Sequence, residues 1–360
     1  MQKSKSIRKA GIFDPYLDTL GGGERYCLTV AEALLKNNWD VDLFWRGDEL
    51  LKKKLEEKFS LKIDRVNFMS KLNRVTNLPR RFKLTSSYDL IFYLSDGSIP
   101  FLFGKKNILH FQVPFKNVLR NTLLNKIKLH NISDIVCNSF FTKQFIDRAL
   151  GVNSKVIYPP VSVESFKPSR KEDVILFVGR FSQLLQNKKQ DILVNAFKEM
   201  VKDNQLKDWK LILAGGSEVG GKEYVNHLKK ISIGSPIEII ENPVFSDLVD
   251  LYGKAKFFWS ASGFGVDEFQ NPEKVEHFGI TTVEAMAAGI VPIVLGKGGQ
   301  KEIIEDRKNG FLWQTTEGLI KITLELLNDK KRLQQLSKEA IMRSKEFSKE
   351  VFYQKLFALL

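Results

Sequence analysis

Two carboxylates, Glu276 and Glu284, stand eight positions apart around Phe278-Gly279-Ile280. Before Gly279 the chain reads as loop. After it, Ile280, Val283, Met286 and Ala287 recur at helical spacing, which predicts a helix beginning near Thr281 or Thr282. Glu276 then lies in front of a helix N-terminus and Glu284 about one turn inside it. The N–H groups at such an end attract an anion such as a diphosphate. Carboxylates beside them accept hydrogen bonds from sugar hydroxyls, so the pairing suits a nucleotide-sugar. Two glutamates alone say little, because a surface loop and a solvated helix face would look the same. Three further blocks accompany them. Gly21-Gly22-Gly23-Glu24-Arg25 follows an apolar strand ending near Phe13 and precedes the helical run Tyr26–Leu35. A turn of that kind lets backbone N–H groups approach phosphate. The strand Val174–Val178 ends in Gly179-Arg180, followed by Lys188-Lys189-Gln190-Asp191 and a helical run to Ala196-Phe197. Gly298-Gly299-Gln300-Lys301-Glu302 and Asn309-Gly310-Phe311-Leu312 form the last block.

In this order, spread over residues 11 to 312, the four blocks resemble glycosyltransferase family 4. Members of that family are retaining, metal-independent enzymes of the GT-B fold. The resemblance implies an α/β architecture of two Rossmann-like domains, with parallel sheets facing across a cleft. It also implies roles. Arg180 and Lys188 clamp the donor diphosphate, and Glu276 bonds the donor sugar's hydroxyls. Glu284 takes the ribose hydroxyls, while the backbone N–H groups of Phe278, Gly279 and Ile280 support sugar and phosphate. Gly22 and Gly23 close over the same phosphate. His110 ends a strand and begins His110-Phe111-Gln112-Val113-Pro114, similar to a segment that family members carry at the cleft; its implied role is to position the pyranose and polarise nearby groups. Retaining enzymes of this kind use same-face attack, with the donor phosphate taking the acceptor's proton, so no protein base and no cofactor is required beyond the nucleotide-sugar co-substrate. The nearest branch is that of lipid-linked oligosaccharide mannosyltransferases, although Ser260 follows Trp259 where that branch often has His. The expected reaction moves a hexose from GDP-mannose or a UDP-sugar to a lipid-linked or cell-surface glycan. A sugar-nucleotide epimerase or phosphorylase, or an idle GT-B binding protein, shares the architecture.

The elements that must position these residues alternate along the chain. Strands are expected at Ala10–Phe13, Val41–Trp45, Leu90–Leu94, Ile108–Phe111, Ile135–Asn138 and Lys155–Ile157, with helices at Tyr26–Asn37 and Thr142–Leu150. That alternation implies a parallel sheet covered on both faces. Pro159-Pro160 interrupts it, since two prolines exclude helix and ladder pairing. The second half repeats the theme, with strands at Val174–Val178, Trp209–Ala214, Ile237–Ile240, Ala255–Trp259 and Val291–Val294. Helices are expected at Gln190–Val201, Tyr224–Ile231, Ser246–Ala255, Thr281–Ala288 and Lys331–Leu360. The expected organisation is an acceptor-binding domain over residues 1–160, a nucleotide-sugar domain over 161–348, and a final helix over 349–360 that returns to the first domain. Residues 260–274 read as a loop inserted before Glu276, with no evident role.

A chain of 360 residues, 43% of them hydrophobic, suits two ordinary domains. Cys27 and Cys137 have no metal-ligand spacing. Asp40-Val41-Asp42 is a D-x-D, which holds a divalent metal in other glycosyltransferases; here it lies in a strand-like run rather than a loop, and no metal site is expected. Gly215-Gly216 lacks the full dinucleotide spacing. No apolar stretch approaches a membrane span and no signal-like segment opens the chain, so a cytoplasmic protein is expected. The net charge of +14 is concentrated: residues 51–83 carry 11 basic against 3 acidic side chains, and residues 105–128 carry 6 basic and none acidic. A nucleic-acid motif is missing, so no nucleic-acid partner is expected. Leu119, Leu123 and Ile127 recur every four residues beside Arg120, Lys126 and Lys128. Such a helix either rests on an anionic leaflet, placing the enzyme peripherally on the inner face of the membrane, or buries its leucines in the core.

Overall fold

The computed structural model describes residues 7–17, 22–45, 51–53, 55–56, 61–69, 78–116, 122–183, 186–202, 206, 208–217 and 221–360. Gly21, Leu119 and Arg120 lie outside the described residues, as do Lys54, Lys58, Lys71 and Arg74 of the first basic segment. The chain divides into two compact units, Met1–Pro160 with Lys349–Leu360, and Val161–Ser348.

The first unit is built on seven parallel strands: β1 (Lys9–Phe13), β2 (Asp40–Phe44), β3 (Asn67–Phe68), β4 (Leu90–Leu94), β5 (Lys106–Phe111), β6 (Asp134–Cys137) and β7 (Lys155–Val156). Their order is β3-β2-β1-β4-β5-β6-β7. Helices cover both faces, so the central strands are apolar runs rather than alternating ones; Ala10, Ile12, Val41, Leu43, Leu90 and Phe92 are all buried. Asp42 is 2% exposed and serves this packing. It pairs with Lys9 at 2.9 Å and accepts from Asn67 Nδ2 at 3.1 Å and from the Tyr88 hydroxyl. Asn67 also reaches Asp40 at 3.2 Å, which ties the D-x-D carboxylates into the sheet edge.

The second unit has six parallel strands, β8 (Val174–Val178), β9 (Lys210–Gly215), β10 (Ile237–Glu241), β11 (Phe257–Ser260), β12 (Val291–Leu295) and β13 (Phe311–Trp313). They run in the order β10-β9-β8-β11-β12-β13. Strand order reverses between β8 and β11. Open α/β sheets take ligands outside the carboxyl ends of their strands at such a reversal, and the polypeptide leaving β8, β11 and β12 carries Arg180, Glu276 and Gly298.

The C-terminal stretch is helical and broken before the final helix. It forms a helix Lys330–Ser344, a 3-10 turn Lys345–Phe347 and a helix Lys349–Phe357. Ser348 is extended at ψ 161° because it pairs with Val161, whose N–H donates to Phe347 O at 2.9 Å. The last helix belongs to the first unit, where Phe352 meets Tyr26 edge-on at 4.9 Å and Tyr353 Oη donates to Glu32 Oε2 at 2.6 Å.

Candidate active site

β8 is buried along its length and runs into Gly179 and the exposed Arg180, whose carbonyl accepts from Gln190 Nε2 at 2.9 Å. That bond anchors the first turn of the helix Gln190–Lys202 to the strand end. Lys188, just before this helix, donates from Nζ to Glu276 Oε2 at 2.8 Å. Their side chains are 15% and 16% exposed. Burial pushes the Glu276 carboxyl up, but the Lys188 ammonium outweighs it and holds the group below its usual range. Glu276 is therefore an anion at neutral pH, able to accept from hydroxyls.

The helix beyond spans Ile280–Ala287 and starts one residue earlier than expected. Its N-cap is Gly279, at φ 117°, where a Cβ would stand 2.9 Å from the Gln300 amide nitrogen. Both the left-handed backbone and the contact demand glycine. Glu284 lies on the second turn, 6% exposed, and accepts from Tyr252 Oη at 3.1 Å. Tyr252 is fully buried on the helix Phe245–Lys254, and no pattern in the sequence ties it to Glu284, 32 residues away. Gln186 sets its amide nitrogen 2.8 Å from His277 Nδ1, a second partnership absent from the motifs. Beneath these residues runs the turn after β12. Gly299 N–H donates to Glu276 O at 2.8 Å, and a Cβ on Gly298 would fall 2.1 Å from that same oxygen. The arrangement brings Lys188 and Glu276 together before a helix N-terminus, with Glu284 on the second turn of that helix and Arg180 following the end of β8. It is suited to a diphosphate carrying hydroxylated groups on either side.

In the first unit, Gly22 and Gly23 form the first turn of the helix Gly22–Lys36 that follows β1. His110 lies in β5 and is fully buried, stacked on Tyr26 at 3.9 Å. Nδ1 is 3.0 Å from Val136 O, so it carries the ring proton, and Nε2 accepts from Gln112 Nε2 at 3.1 Å. The same Gln112 amide reaches Gly23 O at 3.4 Å. Burial pushes the imidazole pKa down to about 3, which keeps the ring neutral. His110 and Gly23 are thus linked through Gln112, a residue of the segment His110–Pro114 that no motif singles out.

Residues 162–343, just over half of the chain, match the family described as Glycosyl transferases group 1. The chain belongs to that family. Arg180, Lys188, Glu276 and Glu284 all lie within the matched segment. This glycosyl transferase is 28% identical over 242 residues to an uncharacterized glycosyltransferase of Methanocaldococcus jannaschii, covering 67% of this chain and 61% of that one. It is similar to two GDP-Man:Man(3)GlcNAc(2)-PP-Dol alpha-1,2-mannosyltransferases. The Mus musculus protein is 28% identical over 232 residues, 56% of this chain and 45% of that one. The Homo sapiens protein is 27% identical over 272 residues, 65% and 52% of the two chains. The glycosyl transferase therefore spans about half the length of the curated relatives it matches. Among solved structures, a glycosyltransferase from Rickettsia africae superposes with a TM-score of 0.76 at 19% identity over 98% of both chains. Anabaena Alr3699/HepE, in complex with UDP-glucose, gives 0.71 at 19% identity over 97% of this chain and 98% of that one. These likenesses show the fold, two parallel-sheet Rossmann-like units of the GT-B class.

Proposed function

We propose that this glycosyl transferase is a retaining, metal-independent enzyme that moves a hexose from GDP-mannose or a UDP-sugar to a glycan acceptor, lipid-linked or part of a cell-surface polysaccharide. The observation that carries this reading is the Lys188–Glu276 pair, 2.8 Å long, standing before the helix that holds Glu284. Arg180 and Lys188 neutralise the diphosphate and Glu276 receives the sugar's hydroxyls. The N–H groups of Phe278, Gly279 and Ile280 support sugar and phosphate, and Glu284, steadied by Tyr252, receives the ribose. As the bond from the anomeric carbon to phosphate oxygen breaks, charge grows on the departing nucleoside diphosphate. Fixed cations and a helix end stabilise that charge in place. The acceptor hydroxyl attacks from the face that the phosphate leaves, and a phosphate oxygen takes its proton. The unit Val161–Ser348 holds the donor. The unit with Gly22, Gly23 and His110 receives the acceptor; His110, expected to position the donor's pyranose, is fully buried with both ring nitrogens engaged and acts instead as a neutral ring that orients Gln112 toward Gly23. The activity named for the mouse and human relatives favours GDP-mannose and a lipid-linked acceptor. The test is to incubate the protein with GDP-mannose and UDP-sugars in excess chelator. Transfer, or slow hydrolysis of a donor, is expected to persist. Activity abolished by chelator and restored by manganese contradicts the metal-free mechanism, and no turnover of any donor contradicts the whole reading.

Within this reading we place the acceptor on an anionic bilayer, on the inner face of the membrane. No helix among the described residues is long and apolar enough to cross one. The helix Leu123–His130 exposes Leu123, Leu124 and Ile127 at 75%, 52% and 51%, so Leu123 and Ile127 are not core residues. The helix Leu78–Thr85 exposes Leu78 and Phe82 beside Arg80 and Lys83. Phe82 meets Phe103 edge-on at 5.1 Å, and Lys128 lies 5.2 Å above Phe101, which brings both helices to one face of the unit. Exposed apolar side chains among cations, with no acidic residue on either helix, complement an anionic lipid surface.

A further inference from the structure

The loop between β11 and Glu276 gains a purpose from its contacts. Glu268 Oε2 accepts from Gly298 N–H at 2.7 Å and Oε1 accepts from Lys301 Nζ at 2.7 Å. The Glu268 side chain is 12% exposed, so a charge has been drawn largely out of water onto one turn of backbone. The loop is itself firmly shaped. Asp267 Oδ1 accepts from Phe269 and Gln270 N–H at 2.8 and 3.1 Å, and Lys297 Nζ donates to Val266 O. Gly263, at φ 90°, lies so close to Val275 that a Cβ would stand 2.7 Å from Val275 Cγ1. The turn that Glu268 grips is the one under the candidate donor ligands. Gly299 donates to Glu276 O, a Cβ on Gly299 would fall 2.4 Å from His277 O, and the Gln300 amide lies against Gly279.

We propose that Glu268 is a positioning residue of the donor site. Through the Gly298–Lys301 turn it fixes the backbone of Glu276 to Gly279, and so the hydroxyl and phosphate ligands offered to a sugar nucleotide. The inference rests on the donor reading given above. A charge-assisted bond to an N–H is about twice as strong as a neutral one, and misplacing a site by about 1 Å loses on the order of 100-fold in rate. The ion pair itself adds little stability, because Lys301 is 43% exposed. A purely structural role would therefore show in Tm, and a positioning role in donor kinetics.

The experiment compares Glu268→Ala with Glu268→Gln, measuring donor KM, acceptor KM, kcat, donor Kd and Tm. In E268A, donor KM and Kd are expected to rise about tenfold with acceptor KM unchanged and Tm a few degrees lower. E268Q keeps an oxygen for Gly298 N–H and is expected to recover most of that loss. Should E268A fold poorly, Lys301→Met releases only Oε1, and the same preferential rise of donor KM is required of it. Donor constants within about twofold of the parent, measured well below Tm, overturn the proposal. So does E268Q losing as much as E268A. If the unaltered protein binds no nucleotide-sugar, the donor reading has failed rather than the brace.

Discussion

Lys188 and Glu276 depend on each other at the scale of single residues. The ammonium outweighs the burial that pushes the carboxyl up, and the carboxylate holds the ammonium in place. Lys188→Ala is expected to lower turnover by about 10²–10³-fold and to lower Tm as well, because Glu276 is left without its partner. Arg180→Ala should lose a similar factor with Tm unchanged, since Arg180 is exposed. Turnover within about tenfold of the parent for both variants, roughly 1.4 kcal/mol, contradicts the clamp. His110 gives a pH prediction. Its folded pKa of about 3 lies below the ordinary 6.5, so the unfolded chain binds the extra proton. The stability contributed is complete above 6.5 and drains away as pH falls toward 3. His110→Phe should therefore have a lower Tm at neutral pH but a shallower fall of Tm on acidification; parallel curves contradict this assignment. The positions of Arg180, Lys188, Glu276 and Glu284 at a strand end and around a helix start were legible, because their spacing around glycines is itself the signal. The contacts of Tyr252, Gln112 and Glu268 were not, because only folding creates them.

At the scale of elements, the helix Ile280–Ala287 is the piece on which the proposed donor binding turns. Gly279 opens it at φ 117° with the Gln300 amide against its α-carbon. Gly279→Ala is expected to lower stability by on the order of 1–3 kcal/mol through backbone strain. It should weaken the donor more than the acceptor, because it turns the first N–H groups. Equal loss for both substrates, measured by titration of each, contradicts the link between this turn and donor binding. The strands were readable because parallel strands buried on both faces are unbroken apolar runs: Leu90–Leu94 and Val174–Val178 stand as expected. Boundaries elsewhere moved by one to four residues, the most at Gly22–Lys36, which takes in the glycines before Tyr26. β3 was missed because two residues, Asn67 and Phe68, leave no pattern. The 3-10 turn Lys345–Phe347 and the pairing of Val161 with Ser348 left no mark in the sequence, because the partner of Ser348 comes from far along the chain.

On the scale of the whole molecule, the charge is unevenly spread. The net +14 arises within two segments of the first unit, and the proposed donor site lies in the second. Each basic residue near an anionic leaflet contributes about 1 kcal/mol, so the pair of exposed helices should hold the protein reversibly and release it in salt. Co-sedimentation with anionic vesicles at low salt is expected, with little on neutral ones. Lys83→Glu with Lys126→Glu, or Leu123→Ser with Ile127→Ser, should reduce it without changing turnover of a soluble acceptor. Indifference to anionic vesicles at low salt contradicts the membrane proposal and leaves the transferase reading standing. The central claim is that Val161–Ser348 binds a nucleoside-diphosphate sugar through Lys188, Glu276 and Glu284. Thermal unfolding across a panel of nucleotide-sugars tests it most directly, since a ligand that binds only the folded state raises Tm, by about 2.7 kcal/mol of stability at a hundred times Kd. GDP-mannose or a UDP-sugar is expected to raise the Tm of the unaltered protein and to leave those of Lys188→Ala and Glu284→Ala unmoved. A panel that shifts nothing at millimolar concentration, or shifts all three proteins alike, contradicts the account.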